Sequence, residues 1–379
     1  MSDRVRVGVI GTGAISGAYL GMAKNLPVVE IAACADMNLE AAKKKAAEFG
    51  IPKVCTVDEI FTDDSIEVVL NLTIPKAHVP IGLRAVEAGK HTYAEKPFGV
   101  NTEEGRTLLE AGRRAGLRTG CAPDTFLGAG IQTARKLIDD GAIGRPVGFT
   151  AFMLSRGHEH WHPSPEFYYQ AGGGPMFDMG PYYLTALLNL LGPVKRIMGM
   201  ASITRDERPI THKNKEGVPG PKFGQVMKVE TPDHVLGMME FENGCVGSIM
   251  QSFATRAAAG AGAPIVIYGT DGTLRVPDPN GFDGPVSLCR FEDGKPDEFV
   301  EQPHSFVKGY GRSIGLADLA YAIRSGRPDR CDGQQAFTVL ELMQGFLDSS
   351  RTGQAVTPTP GYTRPAPMPA NLPFGTLDA

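Results

Sequence analysis

The 379 residues, 42% hydrophobic and 21% charged, exceed one ordinary domain and suffice for two, each burying a substantial apolar interior. A formal net charge of -4 offers no footprint for nucleic acid, and no run of about 20 apolar residues could span a bilayer. The six scattered cysteines (Cys34, Cys55, Cys121, Cys245, Cys289, Cys331) form no CxxC pair and no short Cys/His spacing, so they read as reduced thiols of a cytoplasmic protein, not as zinc ligands.

In chain order, residues 5–10, 28–35, 68–73 and 91–94 are β-rich apolar runs. Between them, 38–49 and 78–88 carry helical spacing and end at Gly50 and Gly89. Strand–helix–strand repetition implies a parallel, doubly wound sheet. Arg4 and Arg6 before the first apolar run give the start some likeness to a leader peptide, but its glycines have another explanation.

After about Gly144 the texture changes: 146–154, 194–204, 234–241, 245–253 and 264–268 are strand candidates separated by turns such as Glu242-Asn243-Gly244, which indicates an antiparallel sheet. Helical patterns occupy 181–191, 314–324 and 334–350, so this half is α+β. The Ala/Gly-rich run 256–264 reads as a loop. The expected division is a dinucleotide-binding domain over 1–125, an α+β substrate and oligomerisation domain over 126–356, with the helices near 314–350 placed to pack back on the first, and a Pro-rich extended arm over 357–379.

The glycine turn Gly11-Thr12-Gly13-Ala14-Ile15-Ser16-Gly17 follows the first strand directly and opens a helical pattern. Gly11 permits the tight turn, Gly13 lets backbone approach a pyrophosphate, and the helix start presents unpaired N–H groups to phosphate charge. Asp36 ends the second strand roughly 20 residues beyond Gly13, where a carboxylate accepts hydrogen bonds from the adenosine ribose. It also repels a 2′-phosphate, and Met37 and Asn38 supply no arginine to bind one, which favours NAD over NADP. Lys43, Lys44 and Lys45 read as a solvated helix face.

The Ala94-Glu95-Lys96-Pro97 segment closes a strand of this half, and at that point the chain resembles the Gfo/Idh/MocA family of sugar and polyol oxidoreductases. The likeness includes the GTGAISG turn, the run Asn71-Leu72-Thr73-Ile74-Pro75 with His78 after it, the EKP triplet, LIDDGAIGRPVGF and GGGPMFDMGPYY. The resemblance implies a Rossmann domain followed by a domain on a large open, mostly antiparallel sheet, with the site between them. It also implies cofactor contacts at Gly11, Thr12, Gly13, Ala14, Ile15, Asp36, Asn71, Thr73, Pro75, His78, Glu95 and Lys96, and homo-oligomers paired sheet to sheet.

Hydride transfer at an alcohol carbon needs a group that takes or gives the hydroxyl proton. Lys96 ends a parallel strand, where doubly wound sheets bind ligands; the alternative is an exposed lysine paired with Glu95. Asp178, Tyr182 and Thr185 recur at helical spacing. In much of the family the corresponding pattern reads Asp, His, Asp, so the usual histidine is missing and the resemblance points instead to members that pair lysine with tyrosine. Tyr182 is then the acid/base, provided nearby positive charge favours its phenolate, with Lys96 polarising the substrate oxygen and Asp178 orienting; one of Tyr182 and Tyr183 is packing.

Arg156, His158, His160, Trp161 and His162 form a candidate substrate wall with Lys96, Asp178 and Tyr182. In an extended chain the three histidines would face one way, which invites a metal; no metal is expected, because hydride transfer to NAD needs none. Trp161, with Phe167, Tyr168 and Tyr169, is suited to stacking on a sugar ring or equally to loop packing. Two other functions are open: a redox-neutral, NAD-dependent glycosidase, which would use the same cofactor and Lys/Tyr pair, and a non-catalytic dinucleotide sensor. Retention of Lys96 and Tyr182 argues against the second.

Overall fold

Six parallel strands form the first sheet: β1 (Val5–Ile10), β2 (Val29–Ala35), β3 (Lys53–Val54), β4 (Val68–Asn71), β5 (His91–Ala94) and β6 (Thr119–Cys121), in the spatial order β3-β2-β1-β4-β5-β6. The computed structural model describes residues 4–256, 263–292 and 297–378. β1 and β4 are buried almost throughout, as strands covered on both faces must be. The covering helices are α1 (Ser16–Ala23), α2 (Leu39–Phe49), α3 (Val57–Thr62), α4 (Pro75–Glu87) and α5 (Thr102–Ala115).

Local chemistry sets the boundaries. The Asn38 side chain accepts from the Ala41 N–H at the start of α2, and Gly50 ends that helix in the left-handed conformation. α4 begins at Pro75 rather than at the expected residue 78, because a proline at the first turn loses no hydrogen bond. α5 has no counterpart among the expected helices, although its buried stripe of Gly105, Leu108, Leu109 and Gly112 follows helical spacing.

α6 (Ala129–Asp139) leads into the second half, followed by β7 (Pro146–Leu154), α7 (Gly174–Asp178), α8 (Gly180–Leu191), β8 (Val194–Ser202) and a small ribbon of β9 (Glu207–Pro209) with β10 (Val226–Lys228). Then come β11 (His234–Phe241), β12 (Val246–Ser252), β13 (Ile265–Gly269), β14 (Gly272–Val276), β15 (Val286–Arg290) and β16 (Val300–Gln302), before α9 (Ile314–Ser325) and α10 (Gly333–Thr352). The large sheet has eight strands in the order β16-β15-β14-β13-β7-β12-β11-β8, antiparallel except where β12 runs parallel to β7. The five strands expected from sequence are β7, β8, β11, β12 and β13; β14 to β16 widen the sheet beyond them. Residues 257–262, most of the expected Ala/Gly loop, lie outside the described residues.

α10 packs on β8 and α8 and also reaches α5 and β6, while α9 contacts α1, β2 and β6. Both late helices therefore touch the first sheet's layers. Met198, Met200, Leu236 and Met238 stay 46%, 73%, 36% and 60% exposed on the sheet, and the register pairs Met238 with Met198 and Leu236 with Met200. The Pro-rich C-terminal segment has no helix or strand, yet it is docked. Tyr362, Met368 and Leu377 are buried, Phe374 stacks on Tyr310 at 4.7 Å, and Asp378 pairs with Arg327. All six cysteines are free and buried, and no helix among the described residues is long and apolar enough to cross a membrane.

Candidate active site

The glycine turn joins β1 to α1. Gly11 has φ +99°, and a Cβ there would lie 2.7 Å from the Leu72 carbonyl carbon, so the position requires glycine. A Cβ at Gly13 would meet nothing within 4 Å. That open approach lies beside the N-terminus of α1. Ser16, at the third glycine position, is fully buried and donates its hydroxyl to the Gly13 carbonyl at 2.7 Å, bracing the turn.

Asp36 accepts from the Thr12 N–H at 2.7 Å and the Thr12 hydroxyl at 3.0 Å through one oxygen, and from the Asn38 N–H at 2.8 Å through the other. Burial would raise its pKa, but these donors outweigh burial and hold the carboxyl below its usual range. Three of roughly four acceptor sites on the carboxylate are used, leaving room for a ribose hydroxyl. Asn71 accepts from Thr73 through its side-chain oxygen and donates to the His78 carbonyl. The buried His78 ring places its nitrogens 2.8 Å from the Pro97 carbonyl and 3.1 Å from the Thr73 carbonyl, so it ties the two loops that follow β4 and β5. Ile15 and Ile74, on the glycine turn and the loop after β4, remain 37% and 68% exposed. The free approach at Gly13, the helix start, and a carboxylate with one acceptor site left fit a dinucleotide at this edge.

Lys96 does not pair with the Glu95 carboxylate. Glu95 is buried, accepting from the Tyr19 hydroxyl at 2.8 Å and from the Lys96 backbone N–H at 2.9 Å. The Lys96 ammonium instead crosses to the second half, donating to the Asp178 backbone carbonyl at 2.6 Å and to its carboxylate at 2.9 Å. Burial works against its charge, but Asp178, then Tyr182 and Glu95, more than compensate and raise its pKa. Asp178 is likewise pushed up by burial and pulled down by Lys96 and His158, to about 2. Lys96 is thus a fixed cation. Two of its three hydrogens are committed and one is left for another oxygen.

Asp178 ends α7, a kink at Met179 intervenes, and Tyr182 lies in the first turn of α8. The two side chains still converge on Lys96, whose ammonium sits 5.2 Å from the Tyr182 ring centre. Tyr183 is buried packing, as one of the pair was expected to be, with its hydroxyl near the Phe152 carbonyl, and Thr185 is buried. The Tyr182 phenol differs from expectation: burial raises its pKa, and the lowering from Lys96 and Arg312 offsets this only in part. In this state the Tyr182 phenol keeps its proton.

The histidine stretch is not extended. The Trp161 and His162 N–H groups both donate to the His158 carbonyl, so the chain turns and the three rings do not line one face. Only His158 enters the cluster, with Nε2 2.9 Å from the free oxygen of Asp178. Its ring is enclosed by Trp161, Tyr168 and Phe253 at 4.9, 4.1 and 4.3 Å, and its Nδ1 is buried without a partner. Trp161 is half exposed, Arg156 is exposed, and His160 and His162 are partly buried. Among the described residues no group of three or more His, Cys, Asp or Glu side chains is arranged to hold a metal ion.

Two contacts had no sequence signal. Arg312 donates to the Tyr182 hydroxyl at 3.0 Å from a loop 130 residues later. The fully buried Asp124 lies beside that arginine, 3.9 Å from its guanidinium. Nothing in the local pattern around either residue marks it.

Residues 5–122 match the oxidoreductase family model for an NAD-binding Rossmann fold, and residues 131–275 match the GFO/IDH/MocA C-terminal domain. A levoglucosan dehydrogenase from Pseudarthrobacter phenanthrenivorans is 30% identical over 295 residues, covering 72% of this chain and 73% of that protein. A 1,5-anhydro-D-fructose reductase from Ensifer adhaerens is 27% identical over 279 residues, covering 71% and 74%. Among solved structures, an NAD binding oxidoreductase from Klebsiella pneumoniae superposes with a TM-score of 0.80 at 23% identity, over 95% of this chain and all of that one, a likeness of fold.

Proposed function

The chain belongs to the Gfo/Idh/MocA family of oxidoreductases, with an NAD-binding Rossmann domain, and we propose that it interconverts CH–OH and C=O at one carbon of a sugar, polyol or glycoside in the cytoplasm. The relatives named for levoglucosan and 1,5-anhydro-D-fructose support an anhydro sugar as the first class to try. The observation that carries the reading is the convergence of Lys96 from the nucleotide-binding half with Asp178 and Tyr182 from the other. A bound nicotinamide supplies the hydride acceptor or donor.

This chain's own residues handle the oxygen and its proton. Lys96, cationic and pinned by Asp178, donates its remaining hydrogen to the substrate oxygen and stabilises negative charge there. Asp178 orients that ammonium. Tyr182 gives its phenolic proton to the oxygen during reduction and takes it back during oxidation. Asp36 and the glycine turn favour NAD over NADP, since a 2′-phosphate would meet the Asp36 carboxylate. Trp161, with Tyr168, stacks on the sugar, and Arg156, His160 and His162 bind its hydroxyls. The methionine-rich face of the large sheet pairs with a second copy.

His158 is a second candidate for carrying the proton, because it stands on Asp178. An ionised Asp178 requires Nε2 to be the donor, which leaves Nδ1 as the free base; that atom is walled off by three aromatic rings. Tyr182 is therefore preferred, with His158 holding Asp178.

The test is a spectrophotometric screen of levoglucosan, 1,5-anhydro-D-fructose, inositols, aldoses, glycosides and keto-sugars against NAD(H) and NADP(H), with released sugar assayed in parallel. The expected result is a net change in NADH absorbance with at least one of them. Glycoside cleavage with no net change would replace this reading with the redox-neutral glycosidase, and no turnover across the panel would favour a dinucleotide sensor.

A further inference from the structure

Arg312 stands at the end of the loop before α9, its side chain 14% exposed. One terminal nitrogen donates to the Tyr182 hydroxyl at 3.0 Å and to the Asn280 side-chain oxygen at 3.1 Å. The other, 3.9 Å from Asp124, is buried without a hydrogen-bond partner. The backbone is fixed just behind it. Ser313 has φ +96°, rare for a residue other than glycine, and is held there by three bonds. Its N–H and that of Gly315 donate to one Asp124 oxygen at 3.0 and 3.1 Å, and its hydroxyl donates to the Tyr19 carbonyl at 3.0 Å. Strain kept by so many partners aims one side chain.

We propose that Arg312 is a positioning residue for proton transfer by Tyr182: it directs the phenolic hydrogen toward the substrate and stabilises the phenolate left behind. This rests on the reading of Tyr182 as the acid/base. Hydrogen-bond accounting supports the direction. A guanidinium only donates, so the Tyr182 oxygen accepts from Arg312 and its own hydrogen points elsewhere. Lys96 is donor-only as well. Each Asp178 oxygen is engaged, by Lys96 and His158, and each Glu95 oxygen by Tyr19 and the Lys96 backbone. Each of these carboxylate oxygens already receives one donor, and among the described residues none accepts from the Tyr182 hydroxyl, so its hydrogen is open to a substrate oxygen.

Charge supports the second half. The groups acting on Tyr182 are Lys96, Glu95, Arg312 and Asp178, with Tyr168 beside them. Two cations, each 5.2 Å from the ring centre, face two carboxylates. Without Arg312 one cation would face two carboxylates, and a buried phenolate would become much harder to form.

The test places 3,5-difluorotyrosine at position 182 of the full chain, so that the phenol titrates near neutral pH, and follows it by fluorine NMR without substrate. Arg312→Gln should raise the midpoint by about one to two pH units, the size of a lost charge-assisted hydrogen bond. Arg312→Lys, which keeps charge but not the fork, should raise it by less, about half a unit, and supplies the comparison if the glutamine variant does not fold. A midpoint unmoved in the folded variants would overturn the inference, even if they melt earlier, since lost melting temperature alone marks a structural role. Because no turnover is measured, this outcome is separate from the fate of Tyr182: normal turnover in Tyr182→Phe would sink that assignment without touching the titration.

Discussion

The two ends of the site are assembled in opposite ways. The dinucleotide end is local: one strand, one turn and one helix start supply Gly11 to Ser16, and Asp36 closes the group from the neighbouring strand. The end proposed to handle the proton is composite. Lys96 comes from the segment just after β5, His158 from the turn after β7, Asp178 and Tyr182 from α7 and α8, and Arg312 from the loop before α9. A local site tolerates motion between the halves of the molecule, whereas a composite one exists only when both halves are docked. Binding of cofactor and competence for chemistry should therefore be separable by mutation.

The largest effect expected lies at the composite end. Tyr182→Phe should lower kcat by about 10²- to 10⁴-fold with little change in NAD affinity, the usual worth of a general acid/base. Lys96→Ala should cost at least as much, and the double variant far less than the product of the two, since groups acting as one unit are not additive. Steady-state kinetics with calorimetric NAD binding checks this. His158→Gln should have a smaller effect; if it matches the loss while Tyr182→Phe stays near normal, the proton belongs to His158.

A smaller effect is expected at the local end. Asp36→Ala should weaken NAD binding by about tenfold, the worth of a hydrogen bond to a charged group, and narrow the gap to NADP, leaving kcat nearly unchanged. Calorimetric titration with both dinucleotides would show it, and a variant that loses kcat without losing affinity would break the distinction between the two ends. The smallest effect should come from a surface remote from both. Met238→Lys puts a charge on the open face of the sheet and should shift light-scattering mass toward the monomer with turnover changed less than about twofold. A wild-type protein that is already monomeric at micromolar concentration would remove that assignment.

The same contrast governs what could be read from sequence. Gly11, Gly13 and Asp36 announce themselves because a turn, a helix start and a strand end fall within one short segment. Four strands of the first sheet, β1, β2, β4 and β5, and the edges of β7 and β11 were legible from apolar runs bounded by turns, whereas the two- and three-residue β3 and β6 were not. Asp178 and Tyr182 were legible as a helical pair, though the kink at Met179 between them was not. The histidine stretch misled, because alternation suggests an extended chain only where no backbone bond closes a turn, and the His158 carbonyl closes one. Arg312 and Asp124 had no signal at all: their meaning lies in partners 130 and 189 residues away. β14 to β16 were not anticipated, although β14 and β15 are as long as β13.

The contacts of α9 also set the order in which the molecule can mature. Arg324 bonds the Arg4 carbonyl across 320 positions and Glu67 across 257, and Ser313 bonds the Tyr19 carbonyl across 294. Loop-closure entropy must be met before such pairings return anything, so they belong to the slow part of folding. The first sheet can form from neighbouring segments, but the loop that carries Arg312 takes its place only when α9 closes over α1. A refolding chain should therefore regain dinucleotide binding before it regains turnover, with a lag between the two that lengthens when the Ser313 and Asp124 contacts are weakened.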